Sequence, residues 1–163
     1  MVIYPNCNYT ARTIKSGGLS KDALHDELRK NDILLNEYAE RIFNSGKFVV
    51  LEDCHEFRTV ELTVGGLGFS NGATTREIIG KAKSLGLVEC PLELAAYLRL
   101  QYLDQPTGHM ITIASKMTEE TKVGFGLGLY IRRLEDGLWL RGYRAHVEFV
   151  WCPESHLVFV DAN

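Results

Sequence analysis

The feature that most constrains the fold is a pair of alternating segments around Asp136-Gly137 in the C-terminal third of the chain. From Val123 to Ile131 every second side chain is apolar, and residues 138–143 follow directly after the Asp-Gly dipeptide. Alternation with a period of two is typical of a strand with one buried face, and Asp-Gly between two such runs is typical of a two-residue hairpin turn. We therefore predict an antiparallel hairpin at this point.

Other segments of the chain predict the elements around this hairpin. Further strand signals lie at residues 48–51, 58–64, 110–114, 147–151 and 157–160. Helices are predicted at residues 20–29, 36–46, 74–85 and 92–103, although residues 20–46 could also form one continuous helix. Helices followed by antiparallel strands are typical of an α+β domain. We predict N-terminal helices packed on a C-terminal antiparallel β-meander, with a flexible arm at residues 1–19 and a single domain at residues 20–163.

Capping residues and hydrophobicity define the helices in more detail. Ser20, Asn36 and Thr74 are suitable N-caps, and Thr74 with Glu77 has the spacing of a capping box. The segment 92–103 is apolar nearly all round, which predicts a helix at the centre of the core. The expected core contacts join two sets of side chains, namely Ile78, Ile79, Leu94 and Leu98 with Phe125, Leu127 and Leu129.

Composition and charge exclude several classes of protein. The chain has 163 residues, of which 45% are hydrophobic and 24% charged, as in one ordinary globular domain. A net charge of −3 argues against a protein that mainly grips duplex nucleic acid. No secretory signal and no stretch as long as a membrane span is evident. The four cysteines are scattered without a Cys-x-x-Cys pair, so we expect reduced thiols in a cytoplasmic protein that does not contact membranes.

Two segments contain residue types found in metal or phosphate sites. Cys54-His55 and the stretch from Cys152 to His156 offer zinc-type ligands, but adjacent side chains on a strand point in opposite directions. The glycine-rich residues 65–72 precede a helix, yet they lack the Gly-x-x-x-x-Gly-Lys spacing and no βαβ unit follows. We therefore predict no cofactor and no metal site.

Four segments of the chain resemble a group of short bacterial proteins that have no assigned function. They are residues 67–79 (LGFSNGATTREII), 98–106 (LRLQYLDQP), 138–143 (LWLRGY) and 157–160 (LVFV), and the resemblance covers residues 57–160. Some members of the group carry a helicase label, but this chain has no phosphate-binding lysine motif and is too short for two motor domains. The resemblance implies a bacterial or phage setting and supplies no mechanism.

The hairpin predicts one surface with binding chemistry, which we call the Arg-aromatic surface. If Asp136-Gly137 is the turn, Glu135 faces Leu138, and Arg132 lies directly opposite Arg141. Because side chains alternate along a strand, the surface consists of Tyr130, Arg132, Trp139, Arg141 and Tyr143. Gly124, Gly126 and Gly128 are expected to form a bare patch beside it.

This surface suggests a small binding or regulatory module. Like charges directly opposite destabilise a sheet unless an anion neutralises them, and aromatic rings offer flat surfaces for stacking. The predicted partners are an acidic protein, a nucleotide or single-stranded nucleic acid. An alternative is that Glu135, Glu148 or Asp161 neutralises the arginines within the fold.

A second functional class also fits the residues of this chain. A small hydrolase or transferase could use Cys90 or Cys152 with His109 or His146 in a central cleft, because such partners meet in space and not in sequence. The sequence therefore leaves open whether the protein is an enzyme. It also leaves the oligomeric state open.

Overall fold

A mixed β-sheet with helices on both faces forms the frame of the molecule. The structure, a computed structural model, describes residues 2–163. Within this range the strands are β1 (Thr10–Ser16), β2 (Leu34–Leu35), β3 (His55–Thr63), β4 (Ala73–Thr74), β5 (Leu87–Val88), β6 (Met110–Ile113), β7 (Phe125–Leu134), β8 (Gly137–His146), β9 (Val150–Trp151) and β10 (His156–Asp161). The helices are α1 (Lys21–Lys30), α2 (Glu37–Phe43), α3 (Thr75–Ser84) and α4 (Leu92–Gln101), with a 3₁₀ turn at Gly65–Leu67.

The strand order confirms an α+β domain and corrects the predicted meander. The main sheet runs β1-β3-β10-β6-β7-β8-β2, and β5 pairs with β10. Only β6, β7 and β8 follow one another as a meander, because β10 returns between β3 and β6 and lies parallel to β6. β2 is also parallel to its neighbour, and β9 pairs with β4 in a separate small sheet. The sheet is therefore mixed and not purely antiparallel.

The N-terminal residues also differ from the prediction. Residues 10–16 belong to the predicted flexible arm, but they form strand β1, which pairs with residues 55–61 of β3. Ile14 and Ser16 are buried in this strand. The segment lacks a sustained hydrophobic period because it is an edge strand with few buried positions, and the backbone hydrogen bonds to β3 hold it in the sheet.

The helix starts agree with the capping residues. The side chains of Ser20, Asn36 and Thr74 accept hydrogen bonds from the first turns of α1, α2 and α3, and Thr74 with Glu77 forms the expected capping box. Two separate helices therefore occupy residues 21–43. No helix within residues 2–163 combines the length and the apolar character needed to cross a lipid bilayer.

The core has two halves because helices cover both faces of the sheet. The front face carries Ile111, Leu129 and Val158 and packs against α1, α2 and α4. The back face carries Leu62 and Phe159 in its β3–β10 half and packs against α3. The prediction for α4 is confirmed in part, since Leu94 and Leu98 are buried with Leu127 and Leu129. Phe125, the third predicted partner, is half-buried and lies outside this cluster. The predicted contacts of Ile78 and Ile79 are wrong, because α3 lies on the opposite face of the sheet.

Helix α2 lies unusually close to β8, and Gly142 makes this approach possible. A methyl group on Gly142 would lie 2.6 Å from Cβ of Tyr38 and 2.7 Å from the backbone nitrogen of Ala39. The Asn36 side chain joins the two elements, accepting from Gly142 N–H at 2.8 Å and donating to Gly142 C=O at 2.9 Å. The same amide oxygen caps α2 through Ala39 N–H. One residue thus starts the helix and fixes it to the sheet.

Candidate functional site

The β7–β8 hairpin is present, with a register two residues away from the prediction. Leu134 pairs with Gly137, so Glu135 and Asp136 form the turn. Gly137, the first residue after the turn, has a φ of +135°. Arg132 therefore lies opposite Trp139, and Arg141 lies opposite Tyr130. The predicted direct pair of arginines is wrong, and the two are diagonal neighbours. An even shift leaves each side chain on its original face, so the side chains of the Arg-aromatic surface still point to the back face of the sheet.

The two arginines of this surface have no acidic partner. Within residues 2–163, no carboxylate oxygen lies within 4.0 Å of a guanidinium nitrogen of Arg132 or Arg141. Asp161, one of the expected neutralising residues, pairs with Arg58 at 3.0 Å. In both arginines the Nε atom is shielded from solvent and has no hydrogen-bond partner among the described residues. Arg132 and Arg141 are therefore half-buried cations on the same face of the sheet, and each has an Nε–H donor without a partner among the described residues.

Aromatic rings flank these cations. The Arg141 guanidinium lies 4.9 Å from the centre of the Trp139 ring and 6.0 Å from that of Tyr130. The Trp139 indole donates a hydrogen bond to Asp136 Oδ1 at 2.7 Å, which fixes the ring against the hairpin turn. Next to Tyr130, a groove of about 290 Å³ continues between Met110 and the exposed ring of Phe149. The surface therefore combines positive charge with an apolar groove.

The expected bare glycine patch is covered. A Cβ atom on Gly128 would collide with the ring of Tyr143, and one on Gly126 would lie 2.9 Å from Cβ of Met117. Tyr143 also packs edge-on against Trp151, with 5.6 Å between ring centres. Burial raises the pKa of the Tyr143 hydroxyl. Tyr143 therefore acts as a packing residue beneath the surface, while Tyr130, Arg132, Trp139 and Arg141 form its accessible part.

Buried Arg99 supports this surface from the other side of β8. Its guanidinium donates to the side chain of Gln105 at 2.5 Å, to Trp139 C=O at 3.3 Å and to Tyr102 C=O. No carboxylate pairs with it within residues 2–163. Burial lowers the pKa of Arg99 to about 10. Arg99 is therefore a positioning residue that fixes the backbone of Trp139.

The cysteines make no contact of the kind that a nucleophile needs. Cys90 is buried and its thiol lies 3.5 Å from Val158 C=O, and burial raises its pKa. Cys152 is hydrogen-bonded to Ser155, and Cys54 is exposed. No hydrogen bond joins a cysteine to a histidine among the described residues. The cysteine-histidine enzyme therefore gains no support from the geometry.

The structure brings together one polar cluster that the sequence analysis missed. Glu61, His109 and His156 come from the adjacent strands β3 and β10 and from the residue before β6. Glu61 Oε2 lies 2.9 Å from His109 Nε2 and 2.8 Å from His156 Nδ1, and Glu61 Oε1 accepts from Arg12 at 2.8 Å. Glu61 is 4% exposed. Burial by itself would raise the pKa of Glu61, but Arg12 and the two histidines outweigh it and hold that pKa below its ordinary value.

The local sequence contains only a weak signal for this cluster. The alternation in residues 58–64 predicts that one face of the strand is exposed, yet both Thr59 and Glu61 on that face are buried. The cluster forms because β10 lies between β3 and β6, which places residues 48 and 95 positions away beside Glu61. A single acidic residue flanked by Val60 and Leu62 in a buried strand is the only indication that the sequence offers.

No protein-family model, no curated protein and no solved structure matches this chain. The resemblance to short bacterial proteins stays a prediction.

Proposed function

We propose that the protein is a small binding module that uses the Arg-aromatic surface to hold an anionic partner. The observation that carries this proposal is the pair Arg132 and Arg141, whose guanidinium groups have no acidic partner and shielded Nε atoms without hydrogen bonds. A shielded donor without a partner costs about 1–3 kcal/mol, and more when it is charged. An anion on this surface would supply the acidic partner that both arginines lack within residues 2–163.

The chemistry around the arginines favours a phosphate-bearing ligand with a flat ring. The planar fork of arginine matches the oxygens of a phosphate, and the ring of Trp139 lies beside the Arg141 guanidinium at 4.9 Å. Aromatic side chains next to a cation are typical of surfaces on which bases stack. The groove beside Tyr130 has room for one such ring at about 290 Å³. We therefore favour a nucleotide or single-stranded nucleic acid over an acidic protein.

The module is proposed to work in the cytoplasm. Its four cysteines are free thiols, and none forms a disulfide within residues 2–163. Proteins that remain in a reducing compartment usually keep their cysteines in this state.

The direct test is titration of a fluorescently labelled single-stranded oligonucleotide by anisotropy, against Arg132→Gln and Arg141→Gln. A charge-assisted hydrogen bond contributes about 1.5–3 kcal/mol, so each variant should bind about 10- to 100-fold more weakly. Exposed Arg29 on α1 offers a matched control, because Arg29→Gln removes the same charge from a distant surface. Equal affinities for all three variants would refute the proposal. If an acidic peptide displaces the labelled oligonucleotide and mononucleotides do not, the anionic partner is an acidic protein.

A further inference from the structure

We infer that Glu61, His109 and His156 form a binding site for a divalent transition metal, with Zn²⁺ as the best match. The three side chains offer one carboxylate oxygen and two imidazole nitrogens, and these ligand atoms all lie within 4.8 Å of one another. Two histidines and one glutamate are an established ligand set for zinc sites that keep a fourth position open. This inference is independent of the proposed anion surface.

The distances within the cluster are close to those of a coordination sphere. Ligand atoms about 2.1 Å from a tetrahedral zinc ion lie about 3.4 Å apart. In the protein, Glu61 Oε2 is 2.9 Å from one imidazole nitrogen and 2.8 Å from the other. Separating these atoms by about half an ångström would admit the ion. The ligands need no change of strand register, because their strands are hydrogen-bonded neighbours in the order β3, β10, β6.

Arg12 orients the carboxylate of the cluster. It donates to Glu61 Oε1 at 2.8 Å, whereas both imidazole nitrogens lie beside Oε2. The Arg12 guanidinium is itself stacked on the Tyr102 ring at 4.2 Å, which holds it on the far oxygen. A second group that orients a ligating carboxylate in this way is common around metal centres. Glu61 Oε2 and the two imidazole nitrogens are then available to bind one ion.

The cluster is accessible from solvent. His109 and His156 are 26% and 37% exposed, whereas Glu61 is 4% exposed. A cleft of about 710 Å³ opens beside Glu61 and His156, and the thiol-bearing side chain of Cys7 lines it. An ion bound here would have three protein ligands and one side open to the cleft, where a water molecule would complete its coordination.

The test is calorimetric titration of Zn²⁺ into metal-free protein, with His109→Ala and His156→Ala as ligand variants. One equivalent should bind to the wild type, and each variant should lose at least about tenfold in affinity, since even outer groups around a metal contribute that much. Exposed His55 lies outside the cluster, so His55→Ala is the matched control and should bind like the wild type. Binding of Co²⁺, followed by its visible absorption, reports the coordination geometry of the site.

The variants are made at the two partly exposed histidines because replacing the buried, paired carboxylate of Glu61 is expected to destabilise the fold. The circular dichroism spectrum of each histidine variant must match that of the wild type. The inference is overturned if the wild type takes up no stoichiometric Zn²⁺. It is equally overturned if His55→Ala weakens binding as much as His109→Ala and His156→Ala do.

Discussion

The contact between α2 and β8 gives the sharpest test of the packing. Replacing Gly142 with alanine would place a methyl group 2.6 Å from Cβ of Tyr38 and 2.7 Å from the backbone of Ala39. The obstacle includes helix backbone, so rotation of one side chain cannot relieve it. The helix must move away from the strand, and this movement also stretches both hydrogen bonds between Asn36 and Gly142.

The expected cost of this substitution follows from two contributions. Overpacking of a close contact costs about 1–3 kcal/mol. Weakening two hydrogen bonds costs about 0.5–1.5 kcal/mol each. Together they predict a loss of about 2–6 kcal/mol in the free energy of unfolding, which lowers the melting temperature of a chain of this length by about 4–24 °C.

Thermal and urea unfolding followed by circular dichroism measure this loss. Gly80→Ala is the matched control, because Gly80 lies in α3 with no atom within 4 Å of an added methyl group. Alanine is the better helix former, so this variant should gain about 0.5–1 kcal/mol. A melting temperature for Gly142→Ala equal to that of the wild type would refute the close approach of α2 to β8.

Three further predictions concern other parts of the fold. Leu98→Ala should lower the free energy of unfolding by about 2–5 kcal/mol in urea titrations, because Leu98 is fully buried in central α4. Thr74→Ala should cost about 0.5–2 kcal/mol in the same assay by removing the cap of α3. In the folded protein at pH 8, iodoacetamide should label Cys54 and Cys152 and leave Cys90 unmodified, because Cys90 is buried and its raised pKa keeps it a neutral thiol. Mass spectrometry of the labelled peptides checks this order.

Local features of the chain were predictable because neighbours in sequence determine them. The N-caps at Ser20, Asn36 and Thr74 depend only on a side-chain oxygen and the next three residues, and all three are present. The faces of β7 and β8 follow from alternation alone. Alternation does not determine the pairing register of β7 with β8, because the turn sets it. In the turn, Gly137 takes a positive φ and Asp136 accepts a hydrogen bond from the Trp139 indole.

Features that depend on strand order were not predictable. The return of β10 between β3 and β6 buries Glu61 beside two histidines, and nothing near Glu61 in the sequence specifies this neighbour. In the same way, alternation places Tyr143 on the outer face of the hairpin, but its ring covers Gly128. Alternation shows which face a side chain occupies, but other elements of the fold decide whether that face is exposed.

The claim that Arg132 and Arg141 form an anion site is tested most directly by Arg132→Glu at low salt. Within residues 2–163, no carboxylate oxygen lies within 4.0 Å of a guanidinium nitrogen of either arginine. The new carboxylate would lie diagonal to Arg141 and replace repulsion by attraction. An opposite-charge pair across two strands contributes about 0.2–1 kcal/mol, so the melting temperature should rise slightly while oligonucleotide binding is lost. A melting temperature below that of the wild type would show that Arg132 already has a stabilising partner in the fold, and would contradict the binding surface.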